Sequence, residues 1–230
     1  TQSNGPVASQ PQTDMTGSTS LILLHTTKFG ENSIVLHTLS KEYGRRGFVA
    51  RSVNKKMMSL LLPMNILEAD IVDSGKSGLL PVRNLAVRCP LMGVRNNLYK
   101  NTMTMFLSEV LYRVVKEGVS EPGLYDWCER QILLLDAMES DFSNFHIRFL
   151  LELTIELGFS PKVDDLRPFL GDNQSIIEKF MSISFAESML MPLSGSLRNE
   201  ICEGVLRYIE YHLESTLTIN SLKVLRELFI

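Results

Sequence analysis

Apolar positions fall into two regimes along this chain. Up to about residue 90 they come in short runs divided by turn residues. The run "SLILLHTTKF" is rich in residues that suit a pleated strand, and Gly30, Glu31 and Asn32 supply the turn after it. In "SIVLHTLS", Ile34, Leu36 and Thr38 fall on one face, with Val35, His37 and Leu39 on the other. "KEYGRRG" reads as the next turn and "FVARSV" as a third strand. "NKKMMS" reads as a basic polar loop. Ile66–Val72 gives a fourth strand, and "LLPVRNLAVRC" a fifth across the turn signal "DSGKSG". Five short strands predict a small closed or partly open barrel, which removes exposed sheet edges.

After Pro90 the spacing becomes helical. Met103, Phe106, Leu107, Val110, Leu111 and Val114 share one helix face, and Gly118 stops that helix. "EPGLYDWCERQILLLDAMES" is a second helix with Pro122 near its start. "NFHIRFLLELTIELG" follows Ser143 and ends at Gly158. "NQSIIEKFMSIS" and "FAESML" are shorter, and Ser196–Leu213 and "NSLKVLRELF" complete the set, while "SPKVDDL" reads as a loop. The predicted class is therefore α+β. A five-stranded OB-type barrel over 21–90 precedes an all-helical domain over 91–230.

Thr1–Ser20 holds no Lys or Arg and no apolar run, so it does not read as a signal peptide. It reads as a disordered tail or a cloning remnant. No apolar run reaches the roughly 20 residues that span a bilayer, and the expected location is the cytoplasm. Cys89, Cys128 and Cys202 are sparse and odd in number, which argues for buried thiols rather than a disulfide scaffold.

The net charge of −3 conceals an asymmetry: residues 1–100 carry 12 Lys and Arg against 6 acids, and residues 101–230 carry 11 against 20. Two modules with different partners would produce such a split. The excess is densest between Leu21 and Leu60, where Lys28, Lys41, Arg45, Arg46, Arg51, Lys55 and Lys56 face only two acids. Phe29, Tyr43 and Phe48 interleave with them. OB barrels bind single strands with basic grooves and stacking rings, so these seven cations are the candidate DNA contacts. A solubilising surface with Phe29 and Phe48 in the core is the competing reading. Catalytic signatures are missing: no phosphate-binding loop, no nucleophile elbow and no HExxH. His25, His37, His146 and His212 have no partner at catalytic spacing, and Asp164–Asp165 reads as a solvated turn. No cofactor or metal is expected, and the composition suits a binding protein better than an enzyme.

"LILLHTTKFGENSIVLHTLSKEYGRRGFVAR" resembles the amino-terminal OB segment of the bacterial recombination-mediator family RecO. Lys28, Phe29, Glu31 and Asn32 fill that family's first turn, and Gly44 and Arg45 its second. "LLPMNILEADIV" is similar to a later family strand. "MFLSEVLYRVVKE", "NFHIRFLLELTIELGFSP" and "YIEYHLESTLTINSLKVLREL" are similar to its helical domain, so the likeness runs in order over about 21–230. Many members carry a four-cysteine zinc site just after the position of "LGFSPKVDDL". This chain has no cysteine there, so packing is expected to hold Lys162–Gln174.

The resemblance implies binding to single- and double-stranded DNA, strand annealing, and RecA loading together with RecR on DNA coated with single-strand-binding protein. It also implies that the acidic, aromatic-ended tail of single-strand-binding protein docks on the helical domain. The candidate cations for that tail are Arg113, Lys116, Arg130 and Arg148, with Phe106, Leu107 and Phe149 near them in sequence. The alternatives are ordinary helix-surface ion pairs for these cations, and for the protein as a whole an adaptor with no intrinsic DNA binding. A metal hydrolase using Asp164 and Asp165 is a third reading.

Overall fold

A computed structural model describes residues 15–73, 78–119 and 121–228. Five strands, β1 (Met15–Lys28), β2 (Ser33–Ser40), β3 (Gly44–Arg51), β4 (Ile66–Asp73) and β5 (Leu80–Cys89), close a barrel in the order β1-β2-β3-β5-β4. All pairings are antiparallel except β3 with β5, where Phe48, Val49 and Ala50 run parallel to Leu80, Pro81 and Val82. Among the described residues, ten α-helices follow or interrupt the strands. The short α1 (Lys55–Met58) lies between β3 and β4. After β5 come α2 (Met92–Arg95), α3 (Leu98–Val114), α4 (Leu124–Ala137), α5 (Phe145–Glu156) and α6 (Val163–Leu170). The chain ends with α7 (Gln174–Ser182), α8 (Phe185–Leu190), α9 (Gly195–Leu213) and α10 (Ser221–Leu228).

The barrel wall explains the unbroken run Leu21–Leu24. Leu21 and Leu23 line the barrel with Leu36, Phe48, Leu67 and Ile71. Ile22 and Leu24 point outward into the helical core, beside Phe106, Leu107 and Leu111. Both faces of β1 are buried because α3 packs on the outside of the barrel, which gives a continuous apolar run instead of strict alternation. Arg95 fastens the joint: it donates to the Pro63 carbonyl and Asn65 Oδ1, both at 2.6 Å, and to Asn101 Oδ1 at 2.7 Å.

Four expectations change. The first strand begins inside the supposed tail, because Met15–Ser20 pairs with Glu68–Asp73 of β4, and only residues 1–14 of that tail lie outside the described residues. The turn after β2 is tighter than "KEYGRRG" suggested. Ser40 pairs with Gly44, its hydroxyl donates to the Gly44 carbonyl at 3.0 Å, and Arg45 to Gly47 are already strand. The "NKKMMS" loop contains α1, capped by Asn54, whose Oδ1 accepts from the Met57 amide at 2.9 Å. "SPKVDDL" is the start of α6, where Asp164 and Asp165 suit the positive end of the helix and Asp165 Oδ2 accepts from the Lys162 amide at 2.8 Å. Part of the turn "DSGKSG" lies outside the described residues.

Where many members of the resembled family carry cysteines, α6 lies against α9. Leu166 and Leu170 are buried there, and Gly204 permits the approach: a Cβ on it would meet Leu170 Cδ2 at 2.5 Å and the Phe169 carbonyl oxygen at 2.9 Å. Among the described residues no group of three or more His, Cys, Asp or Glu is placed to hold a metal ion, so these residues do not fit a zinc site. Cys128 and Cys202 are buried, whereas Cys89 is half-buried. No helix of the described residues is long and apolar enough to cross a membrane.

Candidate nucleic-acid interface

The seven barrel cations do not converge on one face; they divide between its two ends. Lys28 ends β1, and Arg51 ends β3 opposite Ser33 of β2. Helix α1 folds back on the same end: the Val53 amide donates to the Asn32 carbonyl at 3.2 Å, and Met58 borders a hollow with Lys28, Glu31 and Ile34. Lys28, Arg51, Lys55 and Lys56 are all exposed here, and among the described residues none of the four is in an ion pair. Phe29, 55% exposed, and Met58, 50% exposed, sit among them. An exposed ring and thioether ringed by unpaired cations can stack a base while neutralising phosphates.

At the other end the cations turn toward the helices. Arg45 lies six residues from Arg51 on β3, about 20 Å at the rise of an extended strand. It is buried, its guanidinium is 4.7 Å from the Tyr112 ring centroid, and Nη1 lies 3.4 Å from Glu117 Oε2. Glu117 Oε1 in turn accepts from the Gly47 amide at 3.2 Å. Lys41 pairs with Asp126 at the start of α4 at 3.0 Å, and Arg88 pairs with Glu129. Arg46 has the opposite parity on β3 and lies 5.7 Å from the Tyr43 ring, half-buried at the barrel end. Lys41 and Arg45 thus face carboxylates of the helical module, at the end of the barrel opposite Lys28 and Arg51. Part of the charge asymmetry is satisfied inside the molecule, basic barrel against acidic helices.

Tyr112 organises a polar cluster at that joint. His25 and His37 lie 4.8 and 5.1 Å from its ring, and Thr27 Oγ1 is 3.0 Å from His37 Nε2. Burial, reinforced by His25 and Arg45 and opposed by Glu117, holds the His37 imidazole below its usual range. Sequence reasoning missed Tyr112 and Glu117, because their partners lie about seventy residues away in the chain.

The tail-docking candidates also separate. Arg148 is a structural residue. Its Nε donates to Glu152 Oε1 at 2.7 Å, and Nη1 donates to the Phe180 and Ile183 carbonyls at 3.1 and 3.2 Å, tying α5 to the end of α7. Glu152 also accepts from Gln131 Nε2 at 2.8 Å. Phe106, Leu107 and Phe149 are fully buried and cannot form an open pocket. Lys116 and Arg130 are exposed. Arg113 borders a cleft of about 540 Å³ between β1, α3 and α10, with Met105, Tyr112 and Val224 in its lining. Glu109, in the same cleft, accepts from the Asn220 and Ser221 amides at 3.0 and 2.8 Å. Burial alone would raise its carboxyl pKa, but hydrogen bonds from Ser221 and Asn220 hold it below the usual range.

Sequence comparison supplies the remaining observation. The family model described as "Recombination protein O N terminal" matches residues 15–87, and "Recombination protein O C terminal" matches residues 95–165. The two matches fall in order on the barrel and on the first helices. The chain belongs to the RecO family. Among curated relatives, the "DNA repair protein RecO" of Phocaeicola vulgatus is 28% identical over 233 residues, covering 90% of this chain and 97% of that protein. Those of Bacteroides fragilis and Flavobacterium johnsoniae are 25% and 26% identical over 234 residues, with 97% and 98% of their lengths covered. The basic end formed by Lys28, Arg51, Lys55 and Lys56 lies within the part matched by the amino-terminal model.

Proposed function

We propose that this chain acts in recombinational DNA repair as a non-catalytic mediator, binding single-stranded DNA at the barrel end formed by Lys28, Phe29, Arg51, Lys55, Lys56 and Met58. The supporting observation is the contrast in pairing. Lys41, Arg45 and Arg88 have carboxylates of the helical module, while Lys28, Arg51, Lys55 and Lys56 have none among the described residues and lie with an exposed ring. Phosphates approaching that end replace no internal ion pair. Arg46 lies outside this surface, at the opposite end.

Binding of this kind supports annealing directly. Two strands whose phosphates are partly neutralised repel each other less, and bases held by stacking keep their pairing edges free. Duplex DNA would be met through phosphates alone. RecA loading together with RecR on DNA coated with single-strand-binding protein belongs to the same reading. The acidic tail of single-strand-binding protein would enter the cleft between β1, α3 and α10, where Arg113 supplies a cation and Met105, Tyr112 and Val224 supply apolar surface. Lys116 and Arg130, both exposed on the helical module, would assist by long-range attraction.

The test is an annealing assay with two complementary oligonucleotides. Phe29→Ala and the Lys55→Glu/Lys56→Glu pair should each slow annealing at least several-fold, with the fold intact by circular dichroism. Unaltered annealing by both variants would remove the proposed surface. The adaptor reading has one observation in its favour, the pairing of Lys41 and Arg45 with Asp126 and Glu117, and it predicts that the parent itself does not anneal the strands.

A further inference from the structure

The acid pair Asp164–Asp165 has no part in the DNA reading, yet it borders a cleft lined by five aromatic rings. The last turns of α9 present Tyr208, Tyr211 and His212. The loop after α5 adds Phe159, and α6 adds Phe169. His212 stacks on Phe159 at 4.9 Å and meets Tyr208 edge-on at 4.4 Å, while Phe169 lies 5.6 Å from Tyr208 and 5.7 Å from Tyr211. These five rings, with Pro168, Asp164 and Asp165, line a cleft of about 590 Å³. Tyr211 is 68% exposed, so the fan of rings opens to solvent.

Three features of this cleft favour a positive charge. Ring faces are negative at their centres and attract cations. The rings stand at the C-terminal, negative end of α9. The two carboxylates retain acceptor capacity: Asp165 Oδ2 holds the Lys162 amide, and the contact of Asp164 is Gln174 Nε2 at 3.4 Å. Among the described residues no lysine or arginine lines the cleft. Cation–ring pairs among the described residues involve Tyr112, Tyr43 and Phe142, and none involves these five rings. Arg207, the nearest arginine or lysine on α9, is tied to the Phe169 carbonyl at 2.7 Å and to Glu203 at 3.9 Å.

We propose that this cleft is a docking pocket for an arginine side chain on an exposed segment of a partner protein. A guanidinium is planar and can stack between rings while its fork of donors meets a carboxylate, which an ammonium cannot do. DNA is the wrong occupant, because the two carboxylates repel phosphate. The pocket lies on α6 and α9, apart from the barrel end, so its occupancy does not depend on DNA.

The test titrates the whole protein with a fluorescently labelled Gly-Ser peptide carrying two arginines, against the same peptide with neutral citrulline. The arginine peptide should bind at least about fivefold more tightly. Tyr211→Ala, which removes an exposed ring and leaves the charge unchanged, should weaken it by a similar factor, as should Asp164→Asn. Single-stranded DNA affinity should stay the same in both variants, which separates a failure here from a failure of the DNA reading. Equal binding of the citrulline peptide would overturn the proposal. So would full affinity in Tyr211→Ala, which would reduce the effect to general attraction by acidic helices, or no binding of the arginine peptide at millimolar concentration.

Discussion

Replacing Arg45 with methionine separates a joint residue from a DNA contact. The apolar stem is largely preserved, while the guanidinium over Tyr112 and beside Glu117 is removed. With Arg45 only 9% exposed, the cation–ring contact contributes about 1–2 kcal/mol. The ion pair contributes less than about 1 kcal/mol, because the Glu117 side chain is 53% exposed and its charge is screened. Glu117 keeps its hydrogen bond from the Gly47 amide, so no carboxylate is stranded. The net loss is about 2 kcal/mol, which for a chain of 230 residues lowers Tm by about 4–8 °C. Thermal unfolding followed by circular dichroism measures it, and a double-mutant cycle with Glu117→Gln isolates the ion pair. DNA affinity should remain within about twofold of the parent, since one screened charge at the far end of the barrel interacts weakly. An unchanged Tm together with a collapse in DNA affinity would refute the assignment of Arg45 to the joint.

Other outcomes follow from single contacts. Gly204→Ala forces a Cβ against the Phe169 carbonyl oxygen and should destabilise the protein by about 1–3 kcal/mol in urea unfolding. Arg148→Met leaves the Phe180 and Ile183 carbonyls without their charged donor and should destabilise by a similar 1–3 kcal/mol or so, measured in the same way. His146 is fully buried, and burial, reinforced by Arg198, pushes its pKa down from 6.5 to about 3. The unfolded chain therefore binds a proton between those values that the folded chain refuses. This residue's contribution to stability is complete above pH 6.5 and falls by about 1.4 kcal/mol per pH unit toward pH 3. His146→Leu should flatten that acid limb in a pH series of unfolding curves, and an unchanged slope would contradict the burial argument.

The regular elements were legible because local periodicity carries them. The alternation in "SIVLHTLS" gave β2 with its observed bounds, and the spacing Met103–Val114 gave the buried face of α3. Elements marked by turn chemistry were harder. Gly44–Gly47 looks like a loop but continues β3, because the turn closes in three residues, and α6 is short, acidic and contains Pro168. The candidate interface was half legible. Contiguity in sequence grouped seven cations, while an eight-residue strand carries its two ends to opposite rims of the barrel. Strand parity alone would have set Arg45 and Arg46 on opposite faces. The burial of Arg45 against Glu117 and Tyr112 depends on helices far along the chain, which no local pattern encodes.

The most direct measurement is the salt dependence of single-stranded DNA affinity, by fluorescence anisotropy, for the parent and for Lys28→Glu/Arg51→Glu/Lys55→Glu/Lys56→Glu. Four phosphate contacts on a single strand correspond to a slope of log K against log salt of about −2.8, which is close to fiftyfold between 50 and 200 mM by the ~0.7-per-contact rule. The fourfold variant should lose most of that slope and most of its affinity, while Lys41→Glu should keep both. A fourfold variant that binds with the parent's slope and affinity would contradict it.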